Sequence, residues 1–320
     1  MKMKITLNET AEILLSQDNV FILTHKSPDG DTIGSGYALC MALRQLGKKA
    51  NVICSDEFPK KYDYITKCIE PQELEPEFIV SVDVADTGLL GDKLSVYADK
   101  VNLCIDHHGS NTDFAEKSYV EADAAAAAQV IKKLLEIMNV KIDKNIANAI
   151  FTGISTDTGC FKYPSATAET YRAAADMIDC DADYATINRI MFDTKSRARI
   201  ELERMAMEAM EFFADGKVDL VCITKDMFEK SGADEGDSEG IASLPRQVEG
   251  VLVGITMREK ENGIYKFSVR TTGEIDASAI CASFGGGGHK AAAGCVIDGG
   301  YENAKNKIVE AACAAVERAL

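Results

Sequence analysis

Histidine is almost absent from this chain: its 320 residues hold four. A scaffold with so few incidental imidazoles leaves each one open to a chemical reading, since histidine is the side chain best suited to bind a transition metal at neutral pH or to touch a phosphate. Net positive charge is also missing, the formal charge being -16. Sequence-independent grip on long DNA or RNA comes from many Lys and Arg contacts to phosphates, so the balance argues against long duplex nucleic acid as a partner. A short anionic substrate stays open, because metals and a local cationic patch capture one or a few phosphates against an unfavourable overall field. The ten cysteines, scattered from Cys40 to Cys313, include no C-x-x-C pair. They read as buried thiols of a reducing compartment, not as a disulfide framework. No apolar run reaches membrane-spanning length, and Met1-Lys2-Met3-Lys4-Ile5 opens no signal-peptide core. The expectation is a cytoplasmic protein with no membrane partner.

With 46% hydrophobic residues over this length, two cores are the better prior. Val20 to Thr24 is a short apolar run that delivers His25 to a turn, and Thr32 to Leu46 has helical periodicity closed by Gly47. Ala50 to Cys54, Phe78 to Val82 and Val101 to Ile105 read as further buried strands, followed by helices over Ala122 to Met138 and Lys144 to Ile154. Strands alternating with helices imply a largely parallel sheet whose ligands bind beyond the carboxyl ends of its strands. A polar-periodic stretch from Asp193 to Phe213 reads as a connecting helix. After it, Val218 to Thr224, Val251 to Met257 and Ile264 to Val269 suggest a second sheet, Asp234 to Gly240 an acidic loop, and Tyr301 to about Leu320 a last helix. The expected fold is therefore α/β: a mostly parallel, helix-flanked sheet over residues 1–190, a helical linker over 191–215 and a smaller α/β domain over 216–320.

The four histidines fall in three short motifs. His25, Asp29 and Asp31 form H-x3-D-x-D in a turn that also holds Pro28 and Gly30, and Asp106-His107-His108 follows a buried strand. Imidazoles with nearby aspartates are the mixed ligand set of a hydrolytic dinuclear centre. Capping of the following helix is the plainer role for Asp29 and Asp31. Of two adjacent imidazoles after a buried strand, one can ligate while the other faces the substrate. Asp83, placed after the strand Phe78 to Val82, is a candidate bridging carboxylate, and Asp157, just past a helix, has the same choice between ligand and turn residue. The third motif is Phe284-Gly285-Gly286-Gly287-Gly288-His289-Lys290. Consecutive glycines expose backbone N–H groups to a phosphate, and Ala291 to Gly294 behind them suits a rigid support. Arg270, ending a strand, can supply a bidentate phosphate contact.

These motifs, in this order and over nearly the whole chain, resemble the DHH phosphoesterase superfamily with a C-terminal DHHA1 domain, on the side of its bifunctional oligoribonuclease and 3′-phosphoadenosine 5′-phosphate phosphatases, the nanoRNases. The resemblance implies two Mn2+ ions, with Mg2+ or Co2+ as substitutes. His25, Asp29 and Asp83 would hold one, and Asp31, Asp83, His107 and Asp157 the other. Asp106 and His108 then carry the catalytic roles, His108 close to the scissile phosphate, while Arg270, Gly286, Gly287, Gly288 and His289 bind substrate. Short RNA or DNA oligonucleotides and nucleotide bisphosphates become the expected partners, with a second copy of the chain as a further one. The sequence departs from the family at Thr271, where serine is usual, and at Ala291, where asparagine is common. Hydrolysis of another small phosphate compound, such as a cyclic dinucleotide or polyphosphate, and a RecJ-like single-strand exonuclease are the alternatives.

Overall fold

A computed structural model describes residues 2–320 apart from Glu235 and Glu239. The chain divides into two compact units, Met1–Thr194 and Lys195–Leu320. Among the described residues no helix is long and apolar enough to cross a membrane. All ten cysteines are free; Cys40, Cys104, Cys222, Cys281 and Cys295 are buried as expected, but Cys68 is exposed.

The first unit is built on six strands: β1 (Met3–Lys4), β2 (Val20–Leu23), β3 (Ala50–Ile53), β4 (Phe78–Val82), β5 (Leu103–Asp106) and β6 (Lys117–Val120). They lie in the order β1-β6-β5-β4-β2-β3, and every pairing is parallel. Near-continuous apolar runs such as Phe78–Val82, buried at all five positions, are what a parallel sheet covered on both faces requires. The helices are α1 (Leu7–Ser16), α2 (Gly30–Gln45), α3 (Asp63–Thr66), α4 (Ala127–Ile137), α5 (Lys144–Asp157), α6 (Ala168–Asp179) and α7 (Tyr184–Asn188). The chain moves outward from β2 to β3 and then crosses back to β4 on the other side of β2. This reversal opens a crevice at the carboxyl ends of β2 and β4, where α/β sheets bind ligands.

Helix α2 is enclosed on all sides, and each residue from Gly30 to Leu43 is buried. It runs antiparallel to α5 at a distance only small residues permit. A Cβ on Gly34 would collide with the carbonyl oxygen of Ala149, and one on Gly153 would lie 2.5 Å from the Cβ of Ala128 and 2.7 Å from Oδ1 of Asp31. The run Ala124 to Ala128 thus allows close approach, as its composition suggests. Helix α4 starts later than expected, at Ala127, because Ala126 is extended (φ −161°, ψ 150°) and offers no side-chain cap. The missing cap comes from Asp31, which accepts the N–H groups of Ala127 (2.6 Å) and Ala128 (2.9 Å). Helix α5 extends to Asp157, so this residue closes the helix and does not follow it.

The stretch expected to be one connecting helix is not uniform. A π-helical turn (Arg189–Asp193) precedes α8 (Arg197–Glu208), and β7 (Met210–Phe213) is already an edge strand of the second sheet. Helical periodicity in the sequence masked this change, since Leu202 and Ala206 of α8 pack on Val221 and Ile223 of the strand beyond. The other strands are β8 (Val218–Ile223), β9 (Val253–Glu259), β10 (Tyr265–Thr271), β11 (Gly287–His289) and β12 (Ala292–Ile297), in the order β11-β12-β10-β9-β8-β7. Only β8 and β9 pair in parallel. Helices α9 (Lys225–Ser231), α10 (Ala277–Ala282) and α11 (Tyr301–Ala319) complete the unit. In the acidic loop 234–240, Gly236–Ser238 forms a 3-10 turn, and Glu235 and Glu239 lie outside the described residues.

One face of this sheet packs Val253, Ile255, Phe267, Val269 and Cys295 into a core with Ile308 and Ala312 of α11. Asp219 of β8 faces the other way, fully buried, with neither carboxylate oxygen hydrogen-bonded. Burial pushes its pKa up to about 6 from 3.8. The folded state therefore holds the proton more tightly than the unfolded chain, and stability falls as pH rises between these values. Asp219→Asn is expected to raise the free energy of unfolding by about 3 kcal/mol near pH 8, with the gain fading below pH about 4. Urea unfolding at the two pH values measures it, and equal gains at both would rule out the charge as the cause.

Candidate metal centre and substrate face

Three adjacent strands end at one rim and carry the site. His25 follows β2, Asp83 follows β4, and Asp106 ends β5 ahead of His107 and His108. Asp83 takes a left-handed backbone (φ +60°), which aspartate tolerates better than most L residues, and its N–H donates to the carbonyl of Ile105 at 3.0 Å. Asp29 caps α2 by accepting the N–H groups of Asp31 and Thr32 through Oδ1, at 3.0 and 3.1 Å. It also stands 3.5 Å from Nε2 of His25. The capping and metal-ligand readings of Asp29 are therefore compatible.

The candidate ligand atoms form three overlapping groups, His25 with Asp29 and Asp83, His107 with Asp31 and Asp157, and Asp83 with His107 and His108, each within 4.8 Å throughout. Asp83 faces both His25 and His107. Its Oδ2 lies 3.7 Å from Nε2 of His25 and its Oδ1 3.5 Å from Nε2 of His107. Nε2 of His107 is also 3.7 Å from Asp31 and 3.5 Å from Asp157. Donors each about 2 Å from a shared cation stand roughly 3–4 Å from one another. The imidazoles are set for the same task. Nδ1 of His25 lies 2.8 Å from the carbonyl of Lys26, and Nδ1 of His107 is 3.1 Å from that of Ala124. A ring that donates through Nδ1 turns the lone pair of Nε2 toward the carboxylates.

The electrostatics of the cluster suit a positive counter-charge. Asp31 and Asp83 are buried at 1% and 2% exposure, and Oδ1 of Asp83 has no hydrogen-bond partner. Burial first, then repulsion from Asp31, Asp29, Asp106 and Asp157, drives the Asp83 carboxyl well above the usual range. Asp157 is pushed up to about 8 by burial and by Asp31 and Asp29. Carboxylates held this close resist ionising together unless a cation joins them. The donor set, imidazole nitrogen plus carboxylate oxygen, suits Mn2+ or a similar divalent ion.

Asp106 points to a different role. It is fully buried and accepts from the N–H of His107 (2.8 Å) and from Asn111 (2.6 Å), while Nδ1 of His108 lies 2.8 Å away. Burial opposes its charge, but the hydrogen bonds from His108 and Asn111 outweigh this and lower its pKa. The same bond is the largest cause of the raised pKa of His108. Sequence reasoning missed Asn111, Ser35, which donates to Asp31 at 3.0 Å, and the carbonyl of Ala124. Ser35 stands four residues from Asp31 on a helix, a spacing that would have revealed it; backbone groups leave no such signal.

In the second unit, the registers Arg270↔Ala292 and Ala292↔His289 place Arg270 and His289 in one row on one face of the sheet. Only the methyl of Ala292 separates them, across two strand spacings or about 10 Å. Among the described residues no carboxylate pairs with Arg270, whose one side-chain hydrogen bond goes to the carbonyl of Val269. The glycines divide their work. Gly286 donates its N–H to the carbonyl of Cys281 at 3.0 Å, and a Cβ there would strike the backbone of Gly294. Gly286 is therefore a packing residue whose N–H is already used, contrary to its expected place as a donor to substrate. Gly287 and Gly288 are exposed beside Gly294 and Ala293 of β12, which supports them as expected.

Fold and site define an α/β protein with a buried cluster of carboxylates and imidazoles suited to divalent cations. Residues 19–154 match the DHH family, N-terminal domain, and residues 219–318 the DHHA1 domain. The bifunctional oligoribonuclease and PAP phosphatase NrnA of Thermus thermophilus is 32% identical over 311 residues, 94% of this chain and 91% of its own. The chain belongs to the DHH family of phosphoesterases. The crystal structure of an exopolyphosphatase-related protein from Bacteroides fragilis superposes with a TM-score of 0.85 at 27% identity, over 95% of this chain and 94% of that one. RecJ of Thermus thermophilus in complex with Mn2+ shares the fold, with a TM-score of 0.59 at 16% identity, over 98% of this chain and 55% of its own.

Repulsion at the centre sets a stability test. Asp83→Asn should raise the melting temperature of metal-free protein, since an amide needs neither a buried charge nor an added proton to sit among these carboxylates, and should abolish most of the rise that Mn2+ gives the wild type. Thermal unfolding with Mn2+ and with a chelator reads both. A wild type indifferent to Mn2+ would refute a metal centre here.

Proposed function

We propose that this chain is a dinuclear-metal phosphoesterase that hydrolyses oligonucleotides of about two to five residues to mononucleotides, and 3′-phosphoadenosine 5′-phosphate to AMP. The observation that carries the reading is Asp83, whose two oxygens face two separate ligand groups. His25, Asp29 and Asp83 would hold one Mn2+, and Asp31, Asp83, His107 and Asp157 the other. Bound there, divalent cations supply Lewis acidity and a nucleophilic water at neutral pH. The near full-length likeness to a relative named oligoribonuclease and PAP phosphatase supports the same substrate class.

The chain's own residues have distinct tasks in this scheme. Asp106 fixes the ring of His108 through Nδ1, leaving Nε2 to hold a proton beside the scissile phosphate. Arg270 and His289 bind a substrate phosphate, and Gly287 and Gly288 leave room for it without side chains. A net charge of -16 opposes the extended phosphate tracking that long strands use, which favours short substrates.

Two measurements test the scheme. The kcat/KM for a dinucleotide should exceed that for a twenty-four-mer at fixed salt; equal or better use of the long strand would favour a RecJ-like activity instead. Arg270→Ala or His289→Ala should lower kcat/KM for the dinucleotide about ten- to a hundred-fold, the worth of a charged hydrogen bond of roughly 1.5–3 kcal/mol, with metal content unchanged. Loss of metal in either variant would contradict this division of labour.

A further inference from the structure

Beyond Asp157 the chain makes an unusual exit from α5. Gly159, Cys160 and Phe161 in succession have φ of +56°, +58° and +62°, a region L side chains rarely enter. Backbone hydrogen bonds hold the segment in place: the N–H of Cys160 donates to the carbonyl of Ser155 (2.7 Å), and those of Lys162 and Tyr163 both reach the carbonyl of Thr158 (2.9 and 3.0 Å). What this conformation delivers is an aromatic ring. The hydroxyl end of Tyr163 lies over Gly159, so that a Cβ there would come within 2.5 Å of the ring's Cζ. Gly159 is two residues from the candidate ligand Asp157, yet the tyrosine remains 54% exposed. Beside it Lys162 is exposed, and among the described residues its amine has no hydrogen bond or ion pair.

A large ring about half exposed, on a hydrogen-bonded loop that follows a candidate metal ligand, offers aromatic surface of the kind that stacks nucleobases. A neighbouring unpaired ammonium in an acidic chain suits the phosphate joined to such a base. We propose that Tyr163 and Lys162 form a nucleoside subsite, the ring stacking on the base next to the scissile phosphate and the amine meeting an adjacent phosphate. This inference rests on the phosphoesterase reading above. It adds a source of discrimination between nucleotides and other phosphate esters on the metal-bearing unit itself.

The test compares a dinucleotide with analogues lacking one base, at each position in turn, using wild type, Tyr163→Ala, Tyr163→Phe, Tyr163→Trp and Lys162→Ala. Tyr163→Ala is expected to lower kcat/KM for the dinucleotide about tenfold, chiefly through KM, while the analogue missing the stacked base changes less than about twofold. The Phe and Trp variants, which keep a ring, should retain wild-type discrimination. Lys162→Ala should raise KM for all substrates alike; an unchanged KM removes the lysine from the subsite. If Tyr163→Ala affects every substrate equally, the residue only supports the loop, and if it affects none, nothing stacks there. Either result overturns the subsite while leaving the phosphoesterase reading intact. Wild type that hydrolyses none of the substrates would overturn that reading and the subsite with it.

Discussion

The crowding of buried carboxylates at one sheet rim is the constraint around which the first unit is organised. Asp31 and Asp83 lie in the protein interior within reach of Asp29 and Asp157, an arrangement that repels itself and persists only where the surrounding structure enforces it. Enforcement comes from several directions. Helix α4 aims its first two N–H groups at Asp31, Ser35 adds a third donor, and α5 brings Asp157 from the far side. The cluster is thus held together at a cost to the stability of the fold that carries it.

Much of this was legible in the sequence, for a physical reason. In a parallel sheet, loops at the carboxyl ends of neighbouring strands meet, so the order of apolar runs followed by His25, Asp83 and Asp106 already implied convergence. The scarcity of histidine then separated chemistry from scaffold. What could not be read were contributions made by the main chain or by tertiary contact. The carbonyls of Lys26 and Ala124 orient the two imidazoles, and they carry no residue-type signature. Asn111 looked like any loop amide until the fold brought it 2.6 Å from Asp106.

The second unit shows the same limit from another side. A run of four glycines suggested uniform exposure of backbone donors, but neighbours decide what each glycine does. Gly286 is consumed in joining α10 to the sheet, whereas Gly287 and Gly288 remain exposed on the edge strand. The helical pattern of 193–213 likewise concealed β7, because a strand of four residues is too short to impose its own periodicity on a window that long.

The glycine-mediated contact between α2 and α5 has a dimensional consequence. Asp31 sits at the start of one helix and Asp157 at the end of the other, so the gap between these carboxylates follows from how closely the two helix backbones lie. That closeness is fixed along the seam by glycines of α2, where a Cβ on Gly30 would strike the side chain of Thr156 and one on Gly34 the carbonyl oxygen of Ala149. The pair works as a gauge: the spacing between two charged side chains at the rim is set in the apolar interior, by residues that carry no charge themselves.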